Sequence, residues 1–417
     1  MRTLDYIWRS YGSGKVTWAS LLKPAIRLAE KGFVIGSYRH RVLQHHQDDL
    51  AKHHSTKALF LEQDGHVPNE GDRLKQPVLA KTLRRLAEYG ADDFYDGEIA
   101  REIARDMLKN HGWITLEDLN NLPQPVEREP LQGTYRDWDV YTSPPPSGGW
   151  VVLQILNLLE QTPPHQLSPG ESSRTATLVN ALYLGHKSRY DAPVQSLLDY
   201  HKEIDLKIDK GTAEELLNEE VDSGETTHFS VVDASGVVVG VTASINSYYG
   251  AGVASPKLGF LYNDYMQEFE PGNPEHPFAL RPGAMPYSSM CPTVLAKGDE
   301  VFMVLGSPGS SRIISAVSQV IQLWVDTTMG IREAVCAPRI HVTPATQKLY
   351  FESVPHTAEI RAAFPENGFT VKAAPTALAL GGINPYFGGV HALAREGGRW
   401  CGAADPRRDG VVRCTHP

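Results

Sequence analysis

A mixed α and β protein is predicted, with helices concentrated in the first half of the chain and strands in the second. Three observations predict it. Apolar residues recur three and four apart across much of residues 16–121. Short β-branched runs bounded by glycine and serine turns follow residue 226. With 417 residues, 41% hydrophobic and 21% charged, the chain can bury a large core as one domain or two.

Taken in order, Val16 to Leu22 leads into Ala25-Ile26-Arg27-Leu28-Ala29 with helical spacing. Over residues 79–89, Leu79, Leu83 and Leu86 share one face, and Gly90 stops the helix. Residues 98–109 form a second amphipathic helix. Thr115 is a fair N-cap for a short third one, with Asp118 where a full capping box has Glu or Gln. Residues 139–142 read as a strand, broken by Ser143-Pro144-Pro145-Pro146-Ser147-Gly148-Gly149. That segment is rigid, then permissive. Residues 151–159 and 178–190 are helical. Residues 206–221 are charged and contain Gly211 and Asn218, so they read as an exposed, mobile connector where an internal cut is tolerated. Residues 229–233 and 237–244 form two strands around Ala234-Ser235-Gly236, a hairpin. Residues 301–305 are another apolar strand, followed by a glycine-rich turn and a helix over 313–325. No internal repeat is visible.

Several functions are disfavoured. A net charge of −9 argues against a nucleic-acid partner. No apolar run reaches transmembrane length, so no membrane partner is expected. Met1-Arg2-Thr3-Leu4-Asp5-Tyr6 does not open a signal peptide. Cys291, Cys336, Cys401 and Cys414 lack CxxC spacing and read as free thiols. His45-His46 and His53-His54 read as a solvated helical face, not as a zinc site. Tyr11-Gly12-Ser13-Gly14-Lys15 lacks the spacing of a phosphate-binding loop. Neither metal nor cofactor is expected.

Other residues can carry chemistry. Thr226 and Thr227 open the first strand of the hairpin. A threonine hydroxyl is a weak nucleophile and needs a base. Cutting the Glu225–Thr226 bond would leave an α-amine, of ordinary pKa about 7.7–8.0, beside that hydroxyl. One residue then supplies nucleophile and base, although two β-branched residues in a strand also have a plain structural reading. Ser244-Ile245-Asn246 ends the second strand, and Glu268 follows in a polar segment. Ser288 and Ser289 precede Met290-Cys291-Pro292-Thr293 and can donate to a carboxylate or simply make a turn. The turn at Gly309-Ser310 can aim backbone N–H groups at one oxygen. His228 reads as a strand residue rather than a base.

Together, the Glu225-to-Asp233 run, Ser244-Ile245-Asn246, Pro286 to Thr293 and Gly306 to Arg312 resemble the γ-glutamyltranspeptidase family, from Ser13 to Val411. The resemblance implies an α+β fold, the four-layer αββα sandwich of N-terminal-nucleophile hydrolases. It implies self-cleavage between Glu225 and Thr226. Residues 1–225 would be a mostly helical, large-subunit-like region and residues 226–417 a β-rich, small-subunit-like one, the fragments staying associated. Ser244, usually Thr in the family, would support the nucleophile, and Asn246 would contact the donor α-amino group. Glu268 would pair with that ammonium, with Tyr265 where many relatives have an amide or acid. Ser288 and Ser289 would hold the donor carboxylate. Gly309 and Ser310 would stabilise the oxyanion, unless position 310, usually glycine, needs a conformation only glycine adopts.

The implied activity is acyl transfer without a cofactor. Thr226 would take a γ-glutamyl group from a small donor such as glutathione and pass it to water or an amino acid. A same-fold amidohydrolase or acylase, and an inactive truncated or unprocessed relative, are the alternatives. The family's large subunit normally begins upstream of residue 1, with strands of the shared sheet and a carboxylate-binding arginine that no residue here aligns with. Residues 413–417 depart from the usual family ending. Many family members are exported, so the compartment stays open.

Overall fold

The structure is a computed structural model that describes residues 1–191, 193–194, 200–210, 225–352 and 368–414. The chain forms two compact units, Met1–Arg128 with Tyr249–Asn263, and Glu129–Tyr248 with Asp264–Pro417. Each unit takes a distant segment of sequence.

The first unit is helical. It contains α1 (Arg2–Tyr11), α2 (Trp18–Lys31), α3 (Ser37–His45), α4 (Gln47–Ala51), α5 (His54–Phe60), α6 (Pro77–Tyr89), α7 (Glu98–Lys109) and α8 (Leu116–Asn120). The short strands β1 (Phe33–Val34) and β2 (Arg73–Leu74) pair antiparallel. Thr17 caps α2 by accepting from the Ser20 N–H, and Gly90 ends α6 at φ +87°. The capping box before α8 is complete with aspartate. Asp118 accepts from the Thr115 N–H at 2.8 Å while Thr115 Oγ1 accepts from the Asp118 N–H at 3.1 Å. Helix α1 was not expected. It buries none of its residues, so its apolar pattern marks no core face.

The second unit is built on a six-stranded antiparallel sheet. Its strands are β3 (Leu131–Tyr135), β4 (Trp138–Thr142), β7 (Thr293–Lys297), β8 (Glu300–Gly306), β12 (His391–Glu396) and β13 (Arg399–Ala404), in the order β13-β12-β8-β7-β4-β3. The other elements are α9 (Gly149–Glu160), α10 (Ser172–Asp191), α11 (His201–Ile208), β5 (Glu225–Val232), β6 (Val238–Asn246), α12 (Arg312–Asp326), α13 (Ile331–Cys336), β9 (Ile340–Thr343), β10 (Lys348–Phe351) and β11 (Thr370–Ala373). Helices α9, α10 and α12 bury a continuous apolar cluster with Leu295, Met303 and Leu305 of the sheet. The hairpin β5–β6 packs against β8 and β12. The unit is therefore a layered α+β sandwich.

Asp233 Oδ1 accepts from the N–H groups of Ser235 and Val237, and Gly236 at φ +89° completes the hairpin turn. Residues 206–208 of the expected connector belong to α11, and most of the remainder, 211–221, lies outside the described residues. Among the described residues no helix is long and apolar enough to cross a membrane.

Candidate active site

Thr226 stands at a fault in the hairpin. Glu225 pairs with Asn246 and Thr226 with Ser244, so Ile245 is the extra residue of a bulge. A bulge re-aims the side chains beside it. Asn246 follows at φ +70°, a left-handed conformation that asparagine tolerates better than most residues. The result is local and compact. Thr226 Oγ1 donates to Ser244 Oγ at 3.1 Å, and the Asn246 N–H donates to the same Ser244 oxygen at 2.9 Å. Ser244 thus holds the Thr226 hydroxyl and the turn of the chain after it.

Asp264 joins this strand end to the short helical turn Tyr265–Glu268. Its carboxylate accepts from the Ser247 N–H at 2.9 Å and from Gln267 Nε2 at 2.8 Å. Its carbonyl accepts from Asn246 Nδ2 at 3.4 Å. Asp264 was not singled out from sequence, where it is one acid in a polar run; its burial is the signal, and that appears only in the fold.

The proline- and glycine-rich segment at 143–149 braces the serine pair. Ser288 N–H donates to the Pro146 carbonyl at 3.2 Å, and Gly148 N–H donates to the Met290 carbonyl at 3.0 Å. A Cβ on Gly149 would lie 2.3 Å from the Ser143 carbonyl oxygen, so the chain turns into α9 there only as glycine.

After β8, Gly309 has φ +129° and Ser310 φ +61°. Serine therefore occupies the left-handed conformation that the sequence left in doubt. A Cβ on Gly309 would stand 2.8 Å from Gly388 Cα. Gly388 is held from behind. Gly389 N–H donates to Ser307 Oγ at 3.0 Å, and Val390 N–H donates to Asp405 Oδ2 at 2.7 Å. Asp405 is itself buried on Arg339 and Arg407, which keep its carboxyl below the usual range against the opposing effect of burial. Among the described residues nothing accepts from the N–H of Gly309 or of Ser310.

Thr226, Ser244, Asn246, Glu268, Ser288, Ser289 and Ser310 line one open cleft of about 240 Å³, with Tyr265, Tyr287, Met290 and Ile313. Gly309 precedes Ser310 in the same turn, and Glu225 precedes Thr226 in β5. The cleft thus combines the Thr226 hydroxyl, the Glu268 carboxylate and the Ser288 and Ser289 hydroxyls with the end of a turn from whose N–H groups no described residue accepts. That set suits attack on an acyl carbon.

His228 lies outside the cleft lining. It is 4% exposed, with Nδ1 on Thr242 Oγ1 at 2.8 Å and Nε2 on Ser230 Oγ at 2.9 Å. Burial, and then the charge of His391, push its pKa down to about 3. Both nitrogens are engaged, so His228 stitches the hairpin and is no base for Thr226. Among the described residues no group of His, Cys, Asp or Glu side chains is arranged to hold a metal ion.

Comparison with known proteins identifies the family and the fold. The family profile described as Gamma-glutamyltranspeptidase matches residues 1–414. The glutathione hydrolase proenzyme of Escherichia coli (strain K12) is 36% identical over 79% of this chain and 61% of its own length. That of Pseudomonas sp. (strain A14) is 32% identical over 97% of this chain and 75% of its own. The acylase ACY 1 proenzyme of Pseudomonas sp. (strain SE83) is 33% identical over 95% and 71% respectively. The chain therefore spans less than two thirds of the Escherichia coli relative. The crystal structure of cephalosporin acylase from Bacillus halodurans superposes with a TM-score of 0.84, covering 100% of this chain and 77% of that one at 23% identity, a likeness of fold. The chain belongs to the γ-glutamyltranspeptidase family.

Proposed function

We propose that this chain is an acyl-transfer enzyme that cuts itself between Glu225 and Thr226 and then removes the γ-glutamyl group from small donors such as glutathione. The observation that carries the reading is the convergence on one cleft of Thr226, Ser244, Asn246, Glu268, Ser288, Ser289 and the Gly309–Ser310 turn.

In self-cleavage the Thr226 hydroxyl attacks the Glu225 carbonyl carbon, and the C–N bond breaks to give an ester and the Thr226 amine. Water opens the ester, leaving a carboxylate on Glu225. Residues 1–225 and 226–417 become the two fragments of one enzyme and stay associated. In turnover the Thr226 amine takes the proton of its own hydroxyl, which attacks the donor's γ-carbonyl. The N–H groups of Gly309 and Ser310 receive the developing negative charge. The leaving amine departs with a proton, and water or an amino acid resolves the acyl-enzyme. Glu268 and Asn246 receive the donor's α-ammonium, and Ser288 and Ser289 its α-carboxylate.

A second reading is an acylase for a donor without the α-amino group. The 33% identity to acylase ACY 1 favours it, as does Tyr265 in the lining. Two chromogenic anilides decide between them, one γ-glutamyl and one glutaryl, which lacks only the α-amino group. Preference for γ-glutamyl anilide is expected. Preference for glutaryl anilide assigns the acylase, and hydrolysis of neither overturns the proposal.

A further inference from the structure

Arg189 lies in the last turn of α10 and is 3% exposed. Sequence reading gave it no role. Buried charges in proteins are normally paired. No acidic side chain among the described residues forms an ion pair with Arg189. Its guanidinium donates instead to neutral oxygens. Nη1 meets Ser289 Oγ at 2.8 Å and the Tyr190 hydroxyl at 3.5 Å. The guanidinium carbon lies 5.3 Å from the ring centroids of both Tyr190 and Tyr287. Tyr287 in turn donates to the Arg189 carbonyl at 3.3 Å. Burial pushes the Tyr287 phenol above its ordinary range, and the charge of Arg189 opposes that shift.

Ser289 is the link to the cleft, which it lines beside Thr226 and Ser288. A serine hydroxyl has one proton and two lone pairs. Arg189 occupies a lone pair, so the proton is left to donate, and no described residue accepts it. A hydroxyl whose oxygen already accepts from a cation is a stronger donor, and an anion is its best acceptor. Tyr287, another residue of the lining, packs on the guanidinium.

We propose that Arg189 supplies the positive charge for the donor's α-carboxylate, acting through Ser289, and so selects donors that carry a carboxylate at that position. Arg189 is a positioning residue: it orients and polarises the Ser289 hydroxyl that makes the contact. The inference rests on the reading of the cleft as a site for an amino-acid-like acyl donor.

The test uses two ligands that no acyl transfer consumes. L-Glutamate carries an α-carboxylate, and L-isoglutamine carries a carboxamide there; both keep a free γ-carboxylate. Calorimetry should show the wild-type chain preferring glutamate about tenfold or more, as expected for a charge-assisted hydrogen bond. Arg189→Gln should lose the preference, and Arg189→Lys should retain part of it. In the Arg189→Gln/Ser289→Ala pair the losses should not add, because both act on one contact. Equal binding of both ligands by the wild type, or a preference that survives Arg189→Gln, overturns the inference. If Arg189→Gln does not fold by circular dichroism, Ser289→Ala decides: an unchanged preference overturns the inference, and a lost one supports it. Turnover separates this inference from the proposed activity. A chain that hydrolyses neither anilide but shows an Arg189-dependent preference loses the proposed activity and keeps the inference. A chain that hydrolyses γ-glutamyl anilide with the same KM in Arg189→Gln keeps the activity and loses the inference.

Discussion

Gly309→Ala is expected to destabilise the chain and remove activity together, while Ser310→Gly next door does neither. At φ +129° an alanine is outside the comfortable range of L-residues, which costs about 1–3 kcal/mol. Its Cβ would also lie 2.8 Å from Gly388 Cα, well inside van der Waals contact. The obstacle is backbone, pinned by the bonds of Gly389 to Ser307 and of Val390 to Asp405, so it cannot swing aside. Overpacking of that kind adds about 1–3 kcal/mol. The sum, about 2–6 kcal/mol, is a large part of the stability of an ordinary domain. Ser310 stands at φ +61°, where a non-glycine residue costs about 1–2 kcal/mol. Glycine relieves that strain but adds unfolded-state entropy worth about 0.5–1 kcal/mol, so the net change is about 1 kcal/mol or less. Urea unfolding of the three proteins, with anilide hydrolysis on each, reads both effects. A Gly309→Ala chain within about 0.5 kcal/mol of wild type refutes the steric argument. A Ser310→Gly chain as damaged as Gly309→Ala shows that the serine side chain matters, not the backbone it holds.

Asp264→Ala should raise KM more than it lowers kcat, because Asp264 ties the strand end carrying Asn246 to the turn carrying Glu268. Stability should fall by about 1–3 kcal/mol from the unpaired Ser247 N–H; a lowered melting point with unchanged KM would leave Asp264 a purely structural role. The Ser288→Ala/Ser289→Ala pair should raise KM or lower kcat, with a moderate fall in melting temperature because buried Arg189 loses the Ser289 oxygen, and a collapsed melt with normal kinetics would point to a loop-forming role instead. His228 predicts a pH effect. The unfolded chain binds its proton near pH 6.5, whereas the folded chain holds the pKa at about 3. Stability from this group is therefore complete above pH 6.5 and falls as pH drops towards 3, by about 2 kcal/mol at pH 5. Urea midpoints at pH 5 and pH 7 should differ less in His228→Gln than in wild type, and equal differences contradict the assignment.

The hairpin was legible because β5 and β6 are β-branched runs separated by Ala234-Ser235-Gly236, a turn whose chemistry is local. Its bulge was not, because it exists only in the pairing of Thr226 with Ser244 and Glu225 with Asn246. Ser310 occupies a left-handed conformation that glycine adopts more readily, and one residue's neighbours in sequence do not show that a serine is held there. Arg189 and Asp264 look like surface charges in one dimension; the packing of α10 against the Tyr287–Ser289 loop, and of residue 264 beneath β6, makes them otherwise. Strands β3, β7 and β9 to β13 were not singled out. Most are four to six residues long, and glycine interrupts β3 and β13, leaving little alternation to read.

The intact mass of the purified chain reads self-cleavage without any substrate. Two fragments are expected, with masses that sum to the 46.0 kDa chain plus one water and the second beginning at Thr226, and one uncut chain is expected for Thr226→Ala. A single 46.0 kDa species from the wild-type chain, or cleavage at the same bond in Thr226→Ala, would contradict it.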